Sequence, residues 1–197
     1  MKTYKRFISW VAVITVLLLP LLVNIGCQYE YSSPLPGVIE IRLKTISDTT
    51  QIDFSPLNSF TLKISQQMTI RSSGSKVLIY SDIKAFETKP IIVNTLDPRA
   101  RDSMLVIGQT YAPPDEYIGV DVLLEPAEEV ILRGYQVIDV LRPEGFTALL
   151  SFRKPFHVTE GKQTIITLTI DLSKSLQKGA FTYMFVPYYE ITSIQYQ

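Results

Sequence analysis

The chain has 197 residues, 19 Lys and Arg balanced by 19 Asp and Glu, and a hydrophobic content of 46%. That length suits one ordinary domain and not comfortably two; no basic stripe marks a nucleic-acid surface, and the wealth of Val, Ile, Phe and Tyr argues against disorder. One cysteine and one histidine exclude an internal disulfide and a multi-ligand zinc site.

Lys2, Lys5 and Arg6 precede an apolar run from Phe7 to Val23, and Asn24-Ile25-Gly26 lead to Cys27. A basic head, an apolar run and a small residue form the layout of a bacterial export signal. The run is 17 residues long and contains Pro20, short of the roughly 20 apolar residues of a spanning helix. Gly26 before Cys27 resembles the processing site of bacterial lipoproteins, with Asn24 standing where that pattern has an aliphatic residue. The resemblance implies cleavage between Gly26 and Cys27 and a diacylglycerol on the Cys27 sulfur, which makes the membrane the first expected partner. Acylation caps a thiol that an oxidising compartment would otherwise attack, and two or more acyl chains anchor firmly. Gln28, in place of the Asp that resembles an inner-membrane retention signal, implies the outer membrane. The expected organisation is a signal or anchor helix over 1–26, a lipid anchor and tether over 27–37, and one β-domain over 38–197. Cleavage leaves 16 basic and 19 acidic residues, a mature charge of −3.

Gln28 to Gly37, with Pro34 and Pro36, reads as a tether reaching at most about 35 Å. From Val38 the pattern has period two: Ile39, Ile41 and Leu43 alternate with Glu40, Arg42 and Lys44, a strand with one wet face. Phe60, Leu62 and Ile64 repeat it. Ser72-Ser73-Gly74-Ser75 turns Met68–Arg71 into Lys76–Ser81 as a hairpin. Residues 81–89 read either as a helical turn or as irregular chain, and short strands come next at Ile91–Val93 and Met104–Ile107. Ile118, Val120, Val122 and Leu124 form one face of a strand, with Val130–Leu132, Tyr135–Val140, Phe146–Phe152 and Phe156–Val158 beyond it. Ile166, Leu168, Ile170 and Leu172 face opposite Thr167, Thr169 and Asp171. A last aromatic strand spans Phe181–Val186, and Pro187 makes the remaining chain an edge or a tail. Short strands at close spacing, without an amphipathic helix, predict an all-β antiparallel sandwich.

Tyr117-Ile118-Gly119-Val120-Asp121-Val122, Phe156-His157-Val158-Thr159-Glu160-Gly161, the run from Ile170-Asp171-Leu172 to Leu176, and Tyr183-Met184-Phe185-Val186-Pro187 together resemble a family of β-sandwich bacterial lipoproteins. The resemblance covers the chain from about Tyr111 onward. It implies an immunoglobulin-like or transthyretin-like sandwich and brings no catalytic residue with it.

Catalysis finds little purchase. His157 sits at the start of a strand, and no Gly-x-Ser-x-Gly elbow is present. Ser-x-x-Lys occurs at Ser73/Lys76, Ser81/Lys84, Ser151/Lys154 and Ser175/Lys178, a frequency that marks a cheap pattern. Calcium needs only oxygens; Asp97 with Asp102, and Glu125, Glu128 and Glu129 with Asp115 and Glu116, are the clusters offering them, without calcium-loop spacing. Tyr188 and Tyr189 could stack on a sugar, but aromatic side chains in sheets serve packing more often. The expectation is a non-enzymatic envelope lipoprotein with no cofactor, no metal and no nucleic acid, presenting its sandwich to an envelope protein or glycan. A pilin-like subunit is the alternative, in which a cut at Arg42 removes half of the first strand and opens a groove. A hydrolase built from His157, Glu160 and Asp171 comes third.

Overall fold

The computed structural model describes residues 33–48, 53–102 and 104–197; the leading segment, with Gly26 and Cys27, lies outside them. The unit Pro34–Gln197 is an all-β sandwich with a third sheet at one end. With strands numbered along the chain, one sheet runs β14 (Tyr189–Tyr196), β11 (Gln163–Asp171), β1 (Gly37–Ile46), β6 (Leu105–Ala112). The sheet facing it runs β10 (Leu149–Val158), β7 (Asp115–Pro126), β3 (Thr61–Arg71), β4 (Lys76–Ile79), with β5 (Ile91–Asn94) also on β3. The third runs β12 (Leu176–Lys178), β13 (Tyr183–Phe185), β9 (Val137–Leu141), β8 (Glu129–Leu132), β2 (Leu57–Ser59). Two short helices, α1 (Pro98–Asp102) and α2 (Leu172–Ser175), complete the described elements.

The period-two patterns explain the core. Ile39, Ile41 and Leu43 of β1 and Ile166, Leu168 and Ile170 of β11 point inward and are buried, meeting Leu62, Ile64, Val122, Leu124 and Phe152 from the facing sheet. The 72–75 turn closes the β3–β4 hairpin as its serines and glycine predict, with Gly74 at φ 86°. Residues 81–89 form a turn rather than a helix, pinned by the Asp82–Glu87 bridge. The chain after Pro187 is an edge strand, β14, paired only with β11.

Most pairings are antiparallel, but β1 runs parallel to β11 over nine residue pairs, Val38–Gln163 to Ile46–Asp171. Parallel neighbours need a long connection; here everything between the two strands supplies it, so no crossover helix is required. The sheets nearly close on both sides. Tyr80 and Gln109 exchange backbone hydrogen bonds of 2.9 and 2.8 Å, and across the other seam Lys154 Nζ donates to the Ile191 carbonyl at 3.4 Å.

Ile118 departs from the expected face. Facing β3, Gly119 stands opposite Ile70 and Tyr117 opposite Arg71, so Ile118 is an extra residue, a β-bulge. The bulge turns Tyr117 into the core, stacked on Phe156 at 5.2 Å, and leaves Ile118 41% exposed. Bulges re-aim side chains in this way.

Connections define two ends. The 159–162 turn from β10 to β11 and the short β6–β7 link lie at the proximal end, where β1 begins. The third sheet is assembled at the distal end, from excursions after β1, β7 and β11. Phe185 ties it to the sandwich, packing on Phe60 at 5.5 Å and Phe146 at 6.5 Å.

Candidate functional site

The three residues expected to form a hydrolase site do not converge. His157 lies at the proximal end, stacked on Tyr196 with centroids 4.0 Å apart. Glu160, in the turn beyond it, accepts from the Leu35 backbone N–H at 2.8 Å. Asp171 closes β11 at the other end, about 26 Å from Gln163 at 3.3 Å per residue. That candidate is gone.

Asp171 has a structural role instead. It caps α2, accepting from the Ser173 hydroxyl, the Ser173 N–H at 3.1 Å and the Lys174 N–H at 3.3 Å. Lys174 Nζ stands 3.1 Å from Oδ2 and lies over the Tyr188 ring at 4.4 Å. Tyr189 packs on Phe152 at 4.8 Å. Tyr189 is thus packed within the domain, while Tyr188 remains half exposed beside Lys174. Burial pushes the Asp171 carboxyl upward, but the hydrogen bonds from Ser173 and Lys174 together outweigh it and hold the group below the ordinary range. Asp115 is lowered too, by the Glu116 N–H and then by Arg71, whose Nε lies 2.6 Å away. A depressed carboxyl stabilises the fold above its unfolded value, about 3.9, and that contribution is lost as pH falls through the folded value. The urea midpoint is therefore expected to drop as pH is lowered through about 4. Asp171→Asn, which keeps a capping oxygen, should make that drop shallower; an unchanged slope would refute the assignment.

The larger acidic cluster is split. Asp115 and Glu116 open β7 while Glu125 stands near its far end, where Lys63 faces it at 3.3 Å. Asp97 accepts from the Arg99 N–H at 2.8 Å, at the start of α1. Among the described residues no three His, Cys, Asp or Glu side chains are grouped to hold a metal. On the outer face of the four-stranded sheet Glu40 is buried, but both of its oxygens are taken. Oε1 accepts from Arg42 Nε at 2.6 Å, and Oε2 from Gln109 and Gln163 at 2.7 and 3.0 Å. Buried carboxylates satisfied so completely belong to the fabric of a fold.

What stands out is the free rim of the third sheet. The β8–β9 turn carries Arg133-Gly134-Tyr135, and the β12–β13 turn carries Gly179-Ala180-Phe181 directly after Lys178. Tyr135 is 86% exposed and Phe181 90%. Parallel pairing of β9 with β13, Val140 opposite Tyr183 and Leu141 opposite Met184, sends both turns off the same side. Arg133 and Lys178 both lie within electrostatic reach of Asp53, and Arg133 N–H donates to the Pro56 carbonyl at 2.7 Å. The rim therefore carries two exposed rings and, beside them in the chain, two cations that share the field of one carboxylate.

No protein-family model, curated protein or solved structure matches the chain.

The rim escaped the sequence reading because its halves come from distant parts of the chain. Phe181 read as the first residue of a strand; it lies two residues ahead of β13. The available signal was a repeated order, a cation followed by glycine and then by an aromatic ring. Among the described residues, shallow concavities lie elsewhere. One of about 450 Å³ is lined by Ser59, Thr61, Ala127, Glu128, Glu129 and Ile131, and one of about 230 Å³ by Thr159, Lys162, Tyr196 and Gln197. Among the described residues no helix is long and apolar enough to cross a membrane.

Proposed function

We propose that the chain is a lipid-anchored protein of the bacterial envelope, fixed through Cys27 at the outer membrane, that works by binding rather than by turnover. The observation carrying this reading is the rim, where Tyr135 and Phe181 stand almost fully in water beside a core that already has the aromatic residues it needs. Exposed rings gathered at one place mark contact surfaces. The order of basic head, apolar run, Gly26 and Cys27 supports the anchor. Growth with labelled palmitate should label the wild-type chain and leave Cys27→Ser unlabelled. Label absent from the wild type would overturn the anchor, and turnover of an ester, peptide or glycoside by purified protein would overturn the binding role.

A second reading, a strand-exchanging assembly subunit, is favoured by the position of β1. This first described strand lies between β11 and β6 and buries Ile39, Ile41 and Leu43. Loss of it would open a groove that an extended segment of another copy could fill. Arg42 is in mid-strand, paired on both sides and bonded to Glu40, so a protease would have to free the strand first. Polymers after treatment with an arginine-specific protease would support this reading; an uncut monomer would count against it.

A further inference from the structure

The binding role leaves open what the rim meets. We propose that the two hairpin tips seat on the surface of an anionic lipid bilayer, with the rings of Tyr135 and Phe181 entering the boundary between headgroups and acyl chains and Arg133 and Lys178 meeting lipid phosphates. The proposal rests on the reading of the domain as a binding module and is independent of lipid on Cys27.

Geometry comes first. The register of β9 against β13 sets Tyr183 level with Val140, and Phe181 and Tyr135 lie in the turns that lead into these two parallel strands. Neighbouring strands are about 5 Å apart, so the two turns leave the sheet side by side at one end. Both rings stand almost fully in water, and neither described concavity takes in a tip residue. Rings exposed to this degree suit a surface that closes around them. Phe181 offers no polar atom, so its gain comes from leaving water, and the interfacial zone of a bilayer is where aromatic side chains concentrate.

Charge selects the kind of bilayer. Each tip has its cation at the base of its ring, Arg133 for Tyr135 and Lys178 for Phe181. Asp53 is the carboxylate between them; hydrogen bonds from Ser55 chiefly hold it ionised, with the two cations adding to that. Asp139 and Glu129 stand opposite each other farther up the third sheet. The tips themselves are therefore net positive, which suits an anionic leaflet.

The test places a reporter on the tip. Trp10 is the sole tryptophan, so the full chain carrying Trp10→Phe and Phe181→Trp reports from the rim alone. It would be reconstituted into vesicles of equal parts phosphatidylcholine and phosphatidylglycerol, with brominated acyl chains either in the host vesicles or in added acceptor vesicles. The expected result is a blue shift and quenching in at least one of the two arrangements, severalfold weaker in pure phosphatidylcholine or at high salt. Arg133→Ser with Lys178→Ser should weaken quenching by about tenfold. Phe86→Trp in the same background, on a ring 62% exposed but away from the rim, should show neither effect. A tip tryptophan that keeps a water-exposed spectrum in both arrangements would overturn the proposal and leave a protein or glycan partner. Quenching shared by the Phe86 reporter, or indifferent to phosphatidylglycerol, would overturn it too. Palmitate labelling is read separately, so failure of the anchor and failure of the rim give different results.

Discussion

Gly119→Val is expected to be the most damaging single substitution in the sandwich. A Cβ built on Gly119 falls 2.1 Å from the Phe152 carbonyl oxygen and 3.2 Å from the Arg153 Cα. Both are backbone atoms of the neighbouring strand, so no rotamer change relieves the contact; β10 would have to move off β7. The residue also sits at φ 157°, a region that side-chain-bearing residues rarely occupy. Strain of that kind costs about 1–3 kcal/mol and overpacking a similar amount, so the sum is about 3 kcal/mol or more. Gly74→Ala separates the two effects. Gly74 is at φ 86° with nothing within 4 Å of its missing Cβ, so only the left-handed cost of roughly 1–2 kcal/mol remains. Urea denaturation of both variants checks the ranking. A Gly119→Val protein within about 1 kcal/mol of wild type would mean that β7 and β10 are not this closely apposed.

The same glycine shows where the sequence was legible and where it was not. The inward faces of β1 and β11 could be read directly, since Ile39, Ile41 and Leu43 and then Ile166, Leu168 and Ile170 recur at every second residue and are buried. That the other face of β11, with Ile165, Thr167 and Thr169, is buried as well was not written in that alternation. β7 has the same kind of pattern, but its register slips at the bulge, and Ile118, apolar and in phase, is left on the outside. A bulge is decided by what the neighbouring strands present, here the approach of Phe152 to Gly119, and that approach is not written in β7 alone. The parallel pairing of β1 with β11 was hidden for a related reason. Local alternation says that a strand has a buried face; it carries no sign of which distant strand lies beside it or in which direction.

Site chemistry divides in the same way. The separation of Asp115 and Glu116 from Glu125, grouped together in the sequence, follows from their places toward opposite ends of one strand. The roles of Asp171 and Glu160 were not readable in the chain. A capping carboxylate and a turn carboxylate look alike in sequence until α2 forms at one end of β11 and Leu35 meets the turn at the other. The rim is the extreme case. Arg133-Gly134-Tyr135 is an ordinary hairpin turn taken alone, as is Lys178-Gly179-Ala180-Phe181. They become one surface only because β9 and β13 lie side by side in parallel.

That dependence makes Phe185→Ala the second large effect. Phe185 is fully buried, and its ring meets Phe60, at the junction of β2 and β3, and Phe146, in the chain leading to β10. It is the point at which the third sheet is held against the sandwich core. Truncation of a buried phenylalanine costs about 3–5 kcal/mol, lost apolar transfer and residual cavity together. The cost should not be spread evenly. β12–β13 is a hairpin of three-residue strands, and β13 meets β9 through two residue pairs, too little to hold it without the packed ring. Hydrogen exchange across 176–185 is therefore expected to accelerate far more than exchange in β1 and β11, whose amides remain between paired strands. Phe185→Leu, which retains most of the volume, should cost about 1.5 kcal/mol and keep the hairpin protected. If Phe185→Ala loosens the whole sandwich uniformly, the third sheet is part of one indivisible core. If exchange rises only at 176–185, the rim is carried by an element that can open by itself, and the Phe181 tip would lose its fixed place beside Tyr135 while the sandwich stays folded.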